Sequence, residues 1–298
     1  MSTRADTLKV MSSLLFERPT PLQYFTALVA DDEHFPQLEA AVAVAQTVAP
    51  DVDVQGVLAA IDALADKLKR RIAADTAPLQ RLRYLNRYFF DELCFAGNVN
   101  DYYAADNSYV HCVLATRRGI PISLALIYIE IALQIGLDAH GVSFPGHFLV
   151  KLTMPRGEVV IDPFNGRSLS REDLDERIAP YRRRHGLEGD AEVPLGLFLQ
   201  SATPRAIVAR VLRNLKEIHR SCSDWPVLLD LMQRLVILLP DDWQERRDRG
   251  LVRAELGDAD GAVQDLADYV EHSPDAPDVR AVVERIGELR ATGRRQPH

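Results

Sequence analysis

At 298 residues, with 47% hydrophobic and 26% charged side chains, the chain has the composition of a soluble globular protein, long enough to bury a substantial core. Its 35 lysines and arginines against 43 aspartates and glutamates give a net charge of −8, which excludes bulk attraction to nucleic acid or to an anionic membrane. The most apolar run, LALIYI before Glu130, is far too short to span a bilayer, so neither nucleic acid nor membrane is an expected partner.

The N-terminal segment MSTRADTLKVMSSLLF lacks the apolar core and small-residue cleavage site of a signal peptide, and a cytoplasmic protein is expected. Residues 1–96 read as a helical part packed on the core that follows. Thr20-Pro21 marks a helix start, with proline tolerated in the first turn. Leu38, Ala41, Val42 and Ala45 then recur at helical spacing, as do Val57, Ile61, Leu64 and Leu68. A third helix, PLQRLRYLNRYFFDELCF, presents Leu82, Leu85, Tyr88, Phe89 and Leu93 and is expected to run to the break at Gly97. The basic run KLKRR (67–71) reads as a solvated helix face.

Residues 97–109, GNVNDYYAADNSY, are polar, aromatic and rich in turn formers, the composition of a loop that shapes a site. Gly119-Ile120-Pro121 then opens a helix that is apolar almost throughout as far as Ile135, so it must be buried nearly all round. Its polar stripe is Ser123, Glu130 and Gln134, and Gly136 stops it. Ser123 falls in the first turn, where free N–H groups and the helix dipole favour negative charge. A cysteine there would be a thiolate; a serine hydroxyl is too weak an acid and needs a well-placed base.

His147 opens the strand HFLVKL and Asp162 closes VVID, with a hairpin loop at 154–157. Paired residue numbers then sum to 311, which puts His147 and Asp162 on one sheet face, one diagonal step apart. A slip of one residue would separate them. Further on, Ser168 or Ser170 is expected to cap a short helix carrying Glu172 and Asp173 in its first turn. PYRRRHGLEGDAEVPLGLF reads as a turn-rich linker, with its RRRHG run (182–186) solvated. Residues 97–190 thus form an α+β core, a buried helix packed on a small antiparallel sheet.

The region 200–298 is helical again and carries a repeat. Pro240 and Pro274 lie 34 residues apart, and Trp243, Gly250, Gly257, Ala262, Leu266, Tyr269 and Pro274 follow the tetratricopeptide (TPR) pattern. A looser unit precedes it at Leu228, Met232, Leu235 and Pro240, and residues 279–291 read as a capping helix. One such unit cannot bury its own face, so it must dock on the core or stack in an array, and its helices are candidates for holding another protein or a peptide. The three cysteines, Cys94, Cys112 and Cys222, follow no metal or redox spacing. They are expected to be reduced, buried or half-buried, and without catalytic role. No cofactor and no metal are expected.

Four separated motifs, GNVNDYYAADNSY, RRGIPISLALIY, GLDAHGVSFPGHFLVK and VVIDPFNGRSLS, occur in order and resemble the SirB-type family, a branch of the transglutaminase-like superfamily with an appended TPR region. The resemblance implies a papain-like core in which the catalytic Cys position corresponds to Ser123, the His to His147 and the Asp to Asp162. Asn107 is then a candidate oxyanion donor, as an upstream Gln is in papain-like enzymes. The branch typically lacks the cysteine, so the triad positions are read as vestigial. The expected function is a non-catalytic, regulatory protein-interaction module working through its core and TPR-like helices. The alternative is a serine-dependent hydrolase or acyltransferase using Ser123, His147 and Asp162, against which no G-x-S-x-G elbow surrounds Ser123.

Overall fold

The structure, a computed structural model, describes residues 18–187 and 193–293. The N-terminal segment read above for a signal peptide, residues 188–192 of the expected linker and the last five residues lie outside the described residues.

Helix α1 (Pro21–Leu28) starts at Thr20-Pro21, where Thr20 and Gln23 exchange side-chain and backbone hydrogen bonds as a capping box. α2 (Gln37–Ala43) runs into a 3-10 turn at Val44–Thr47, and together they bury Ala40 to Ala45. α3 (Val54–Lys69), capped by Asp53, buries Val54, Ile61, Ala65 and Leu68. The next segment corrects the sequence reading. Instead of one helix reaching Gly97, α4 (Pro78–Asn86) widens into a π-helical turn at Arg87–Glu92, and Cys94 leaves it with a left-handed φ of 58°. The wider turn still carries Phe89 into the core, stacked on Phe95 and edge-on to Tyr128.

Short strand β1 (Ala96–Gly97) pairs in parallel with β2 (Arg118–Gly119), which follows α5 (Val110–Thr116). α6 (Pro121–Gln134) begins at Pro121 and buries eleven of its fourteen residues. It packs on a four-stranded antiparallel sheet in chain order, β3 (Asp138–Val142), β4 (Leu149–Met154), β5 (Gly157–Ile161) and β6 (Ser168–Leu169). Strands β4 and β5 adopt the register with paired numbers summing to 311, joined by a tighter turn of two residues, Pro155 and Arg156. The sequence reading foresaw two strands. It missed β3, whose DAHGV composition resembles a turn, and β6, which is only two residues long.

α7 (Arg171–His185) is capped by Ser170 and corrects the linker reading, because the helix continues through Pro180 to His185. Within the RRRHG run Arg182 is buried, bonded to Asp175 and to the Val193 carbonyl, while Arg183 and Arg184 are exposed. A short α8 (Leu195–Phe198) precedes α9 (Pro204–Ser221) and α10 (Trp225–Leu238). Ile207, Val208, Val211, Leu212 and Leu215 of α9 belong to the same core as α6, α3 and one face of the sheet. The other face, Val142, Leu149 and Val160, is covered by Leu174 and Ile178 of α7.

The chain ends in α11 (Trp243–Glu255), α12 (Ala259–His272) and α13 (Val279–Gly293). Ala262, Leu266 and Tyr269 are buried as the repeat pattern requires, and α13 covers them with Val282, Ile286 and Leu289. The seam between α9 and α11 is ionic. Lys216 Nζ lies 2.6 Å from both Glu245 and Asp248, and Arg213 reaches Glu245 and Asp242 at 2.7 Å. Two cysteines depart from expectation, since Cys94 and Cys222 are exposed. Cys112 is half-buried, with burial pushing its thiol up to about 11.

Candidate functional site

His147 is placed by the Phe144-Pro145-Gly146 turn, in which Gly146 takes a positive φ of 71° and the His147 amide donates to the Phe144 carbonyl at 3.0 Å. Asp162 follows β5 directly. Its backbone N–H donates to Arg167 and its carbonyl accepts from Gly166, so the DPFNG segment closes on itself. The 311 register brings the two side chains together on the sheet face covered by α7. His147 Nε2 donates to Asp162 Oδ1 at 2.9 Å. The Phe164 amide donates to the same oxygen at 3.0 Å, and Arg177 of α7 donates to Oδ2 at 3.0 Å. Burial alone would raise the Asp162 pKa, but His147, the Phe164 N–H and Arg177 outweigh it and hold the carboxyl below the usual carboxylate range. His147 is a quarter exposed, whereas Asp162 is buried.

Ser123 occupies the first turn of α6 but is fully buried. Its Oγ donates to the Asn107 carbonyl at 2.5 Å and lies 3.1 Å from the Ile120 carbonyl, and it accepts from the Ile120 amide at 3.2 Å. Among the described residues no hydrogen bond joins Ser123 to His147 or Asp162. Asn107 is also committed. Its Nδ2 donates to the carbonyls of Asp101 (2.6 Å) and Tyr102 (3.2 Å), and its Oδ1 accepts from Asn98. The structure therefore unites His147 and Asp162, unites Ser123 and Asn107 separately, and gives the Asn107 amide to the 97–109 loop.

Two residues that the sequence reading overlooked complete the surroundings. Arg177 lies fifteen residues past Asp162 in an ordinary charged helix, and nothing in its spacing announces the pairing. Arg210 of α9 donates from Nη2 to the His147 carbonyl at 2.8 Å, across 63 residues of sequence. Among the described residues, no group of three His, Cys, Asp or Glu side chains is arranged to hold a metal ion.

A buried helix packed on an antiparallel sheet that carries a His–Asp pair, followed by stacked helical hairpins, is an architecture with known relatives. Residues 55–213 match the transglutaminase-like superfamily. The chain belongs to that superfamily. Residues 215–287 match a tetratricopeptide repeat family, so the superfamily core carries TPR helices at its C-terminal side. Relatives run through both parts. A UPF0162 protein of Xylella fastidiosa (strain Temecula1) is 36% identical over 253 residues, 85% of this chain and 89% of its own. UPF0162 proteins of Vibrio cholerae and Escherichia coli K12, the latter called YchA, are 26% and 27% identical and cover 87% and 81% of this chain, and 95% and 88% of their own. Among solved structures, a crystal structure of menin that reveals its binding site for Mixed Lineage Leukemia (MLL) protein is similar with a TM-score of 0.43 at 10% identity. That match covers 90% of this chain and 69% of menin's. No helix among the described residues is long and apolar enough to cross a membrane.

Proposed function

We propose that this protein is a non-catalytic member of the transglutaminase-like superfamily, of the SirB type, that works in the cytoplasm as a regulatory interaction module through its core and TPR helices. The observation that carries this reading is the state of Ser123. Its hydroxyl is inaccessible, and it bonds to the Asn107 carbonyl and the first turn of α6 instead of to His147. Nucleophilic catalysis needs the hydroxyl within hydrogen-bond reach of its base and exposed to substrate. Meanwhile His147 and Asp162 remain hydrogen-bonded to each other, and Asp162 is tied to Arg177 of α7 by an ion pair, which supports a structural use for the pair. TPR helices generally mediate contacts between proteins, and the ionic seam fixes α11–α13 against α9 as one edge of the molecule.

Treatment of the full chain with a fluorophosphonate probe tests the proposal. No labelling is expected, because the reagent cannot reach Ser123 Oγ. Labelling that disappears in Ser123→Ala would show an activated serine and replace this reading with a serine hydrolase built on Ser123, His147 and Asp162.

A further inference from the structure

Ser123 accounts for only the first member of the polar stripe of α6. Glu130 and Gln134 lie further along a helix that is otherwise apolar. Gln134 Nε2 donates to Glu130 Oε1 at 2.8 Å and to Asp62 Oδ1 of α3 at 2.6 Å. One neutral amide therefore holds together two carboxylates of like charge. Among the described residues neither acid has a lysine or arginine partner. A carboxylate has about four acceptor sites, so each keeps most of its capacity free.

Both acids line a groove of about 510 Å³ between α3 and α6. Leu126, Ile129, Glu130 and Leu133 are spaced three, one and three apart and form one stripe of α6, and Leu58 and Asp62 lie one turn apart on α3. Leu126, Ile129 and Ile207 of α9 are buried and Leu133 is 47% exposed, so the groove has an apolar floor and an apolar edge open to solvent. A third acid, Glu39 of α2, also lines it and accepts from the Tyr24 hydroxyl and the Gln55 amide. Among the described residues no lysine or arginine lines the groove. His140 on its β3 side is held by Asp138 at 2.7 Å. Arg205 packs its guanidinium carbon 5.4 Å from the Phe35 ring centroid, but it is taken by Asp32 and by the carbonyls of Val29 and Leu238.

We propose that this groove docks a short basic segment of a partner protein, with a Lys or Arg of the segment set between Asp62 and Glu130 and a neighbouring apolar side chain laid against Leu58 and Leu133. The inference rests on the interaction-module reading and names the contact that the core makes. Charge complementarity selects the occupant. Three acids without a cationic partner border an apolar floor, and a lysine or arginine supplies both a charge and an apolar stem. A metal ion does not fit, since among the described residues no group of three His, Cys, Asp or Glu is arranged to hold one. A nucleic acid or an anionic membrane would be repelled by the same acids.

Random dodecapeptides displayed on phage are selected on the full-length protein, and the enriched sequences are synthesised and titrated by fluorescence anisotropy. The expected peptides share a Lys or Arg at a fixed distance from an aliphatic or aromatic residue, and their binding weakens as salt rises. Affinity falls about tenfold in the double variant Asp62→Asn, Glu130→Gln, the loss of two ion pairs at the groove edge. Replacing the basic residue of the peptide by norleucine produces the same loss and adds nothing in the double variant. Both substitutions leave an oxygen to accept from Gln134, and Leu133→Ser, on an exposed side chain, is an independent variant that also weakens binding. Glu217→Gln removes an exposed acid outside the groove and leaves affinity unchanged. Enriched peptides without a basic residue, affinities unchanged in the double variant and in Leu133→Ser, an equal loss in Glu217→Gln, displacement by spermine at constant ionic strength, or no enrichment would each overturn the site. Self-association that the double variant abolishes, without peptide binding, would give the groove to a second copy and overturn it too. Peptides that bind α11–α13 regardless of these substitutions would overturn this site and leave the interaction reading standing. Fluorophosphonate labelling of Ser123 would do the reverse.

Discussion

Ser123 Oγ ties the Asn107 carbonyl to the first turn of α6, and so anchors the 97–109 loop to the most deeply buried helix. Ser123→Ala removes that tie but leaves the Asn107 carbonyl its bond from the Ile120 amide. A destabilisation of about 1–2 kcal/mol is expected, read as a lower urea midpoint at unchanged m-value; a difference near zero would show the bond to be idle. Asp162 gives a pH signature. Its pKa is lower folded than unfolded, so its stabilising contribution is fully present above the ordinary carboxylate value of about 4 and disappears as pH falls through the depressed folded value. Asp162→Asn should therefore be less stable than the parent at neutral pH and lose less stability on acidification. Parallel acid limbs in the two unfolding series would contradict that account. His147 and Asp162 were legible as a pair because strand parity is strict and the hairpin fixed the register. The isolation of Ser123 was not legible, since position in a first turn says nothing about which carbonyl a hydroxyl will find.

At the scale of elements, proline-marked starts were the most readable feature. Thr20-Pro21 and Ile120-Pro121 begin helices where the sequence places them, because proline's fixed φ and missing N–H suit a first turn. Pro180 shows the limit of the same rule. It lies in the tenth position of α7 and is accommodated, so it was misread as a break. The π-turn at Arg87–Glu92 escaped notice because one extra residue per turn barely disturbs an apolar pattern that stays in phase at Tyr88 and Phe89. In the repeat, Gly250 was legible for a reason the packing supplies. A Cβ there would lie 3.0 Å from the Asp265 Cβ and the Leu266 Cγ, so α11 and α12 meet through a missing side chain. Gly250→Ala should be nearly neutral, its helix-propensity gain of about 1 kcal/mol offsetting a small shift. Gly250→Leu should cost about 1–3 kcal/mol by overpacking. Trp243, stacked on His272 with ring centroids 3.7 Å apart, reports that unfolding by fluorescence; equal stability of the two variants would argue against a close α11–α12 approach.

On the scale of the molecule, the principal core is assembled from both ends of the chain. Phe25 of α1, Ile61 of α3, Ile127 of α6, Val150 of β4 and Leu212 of α9 lie in one continuous apolar cluster. Periodicity revealed each of these faces separately but not which faces would meet, since α9 joins the superfamily core as readily as it begins the TPR helices. The residue match itself spans that boundary, ending at residue 213 within α9. Beyond it, the ionic seam at Lys216, Glu245 and Asp248 replaces apolar packing, and burial opposes the Asp248 charge that Lys216 and Arg247 restore. Such a seam specifies geometry, because its partners are satisfied in one arrangement only.

The place of α9 in the core has a consequence for biosynthesis. The sheet is complete once residue 169 has left the ribosome, but the part of the principal core that α9 fills stays open until residue 221 has emerged. At about 5–20 residues per second, that leaves roughly 3–10 s during which a nascent chain displays the apolar surface that α9 later covers. Folding force on the ribosome, measured with an arrest peptide placed at successive lengths, should accordingly stay low through β6 and rise only as α9 clears the exit. A rise at β6 would mean that the sheet and α6 hold together without it. The window is also when a chaperone has most to bind, so growth conditions that deplete chaperones should lower the yield of this protein before they affect its finished form.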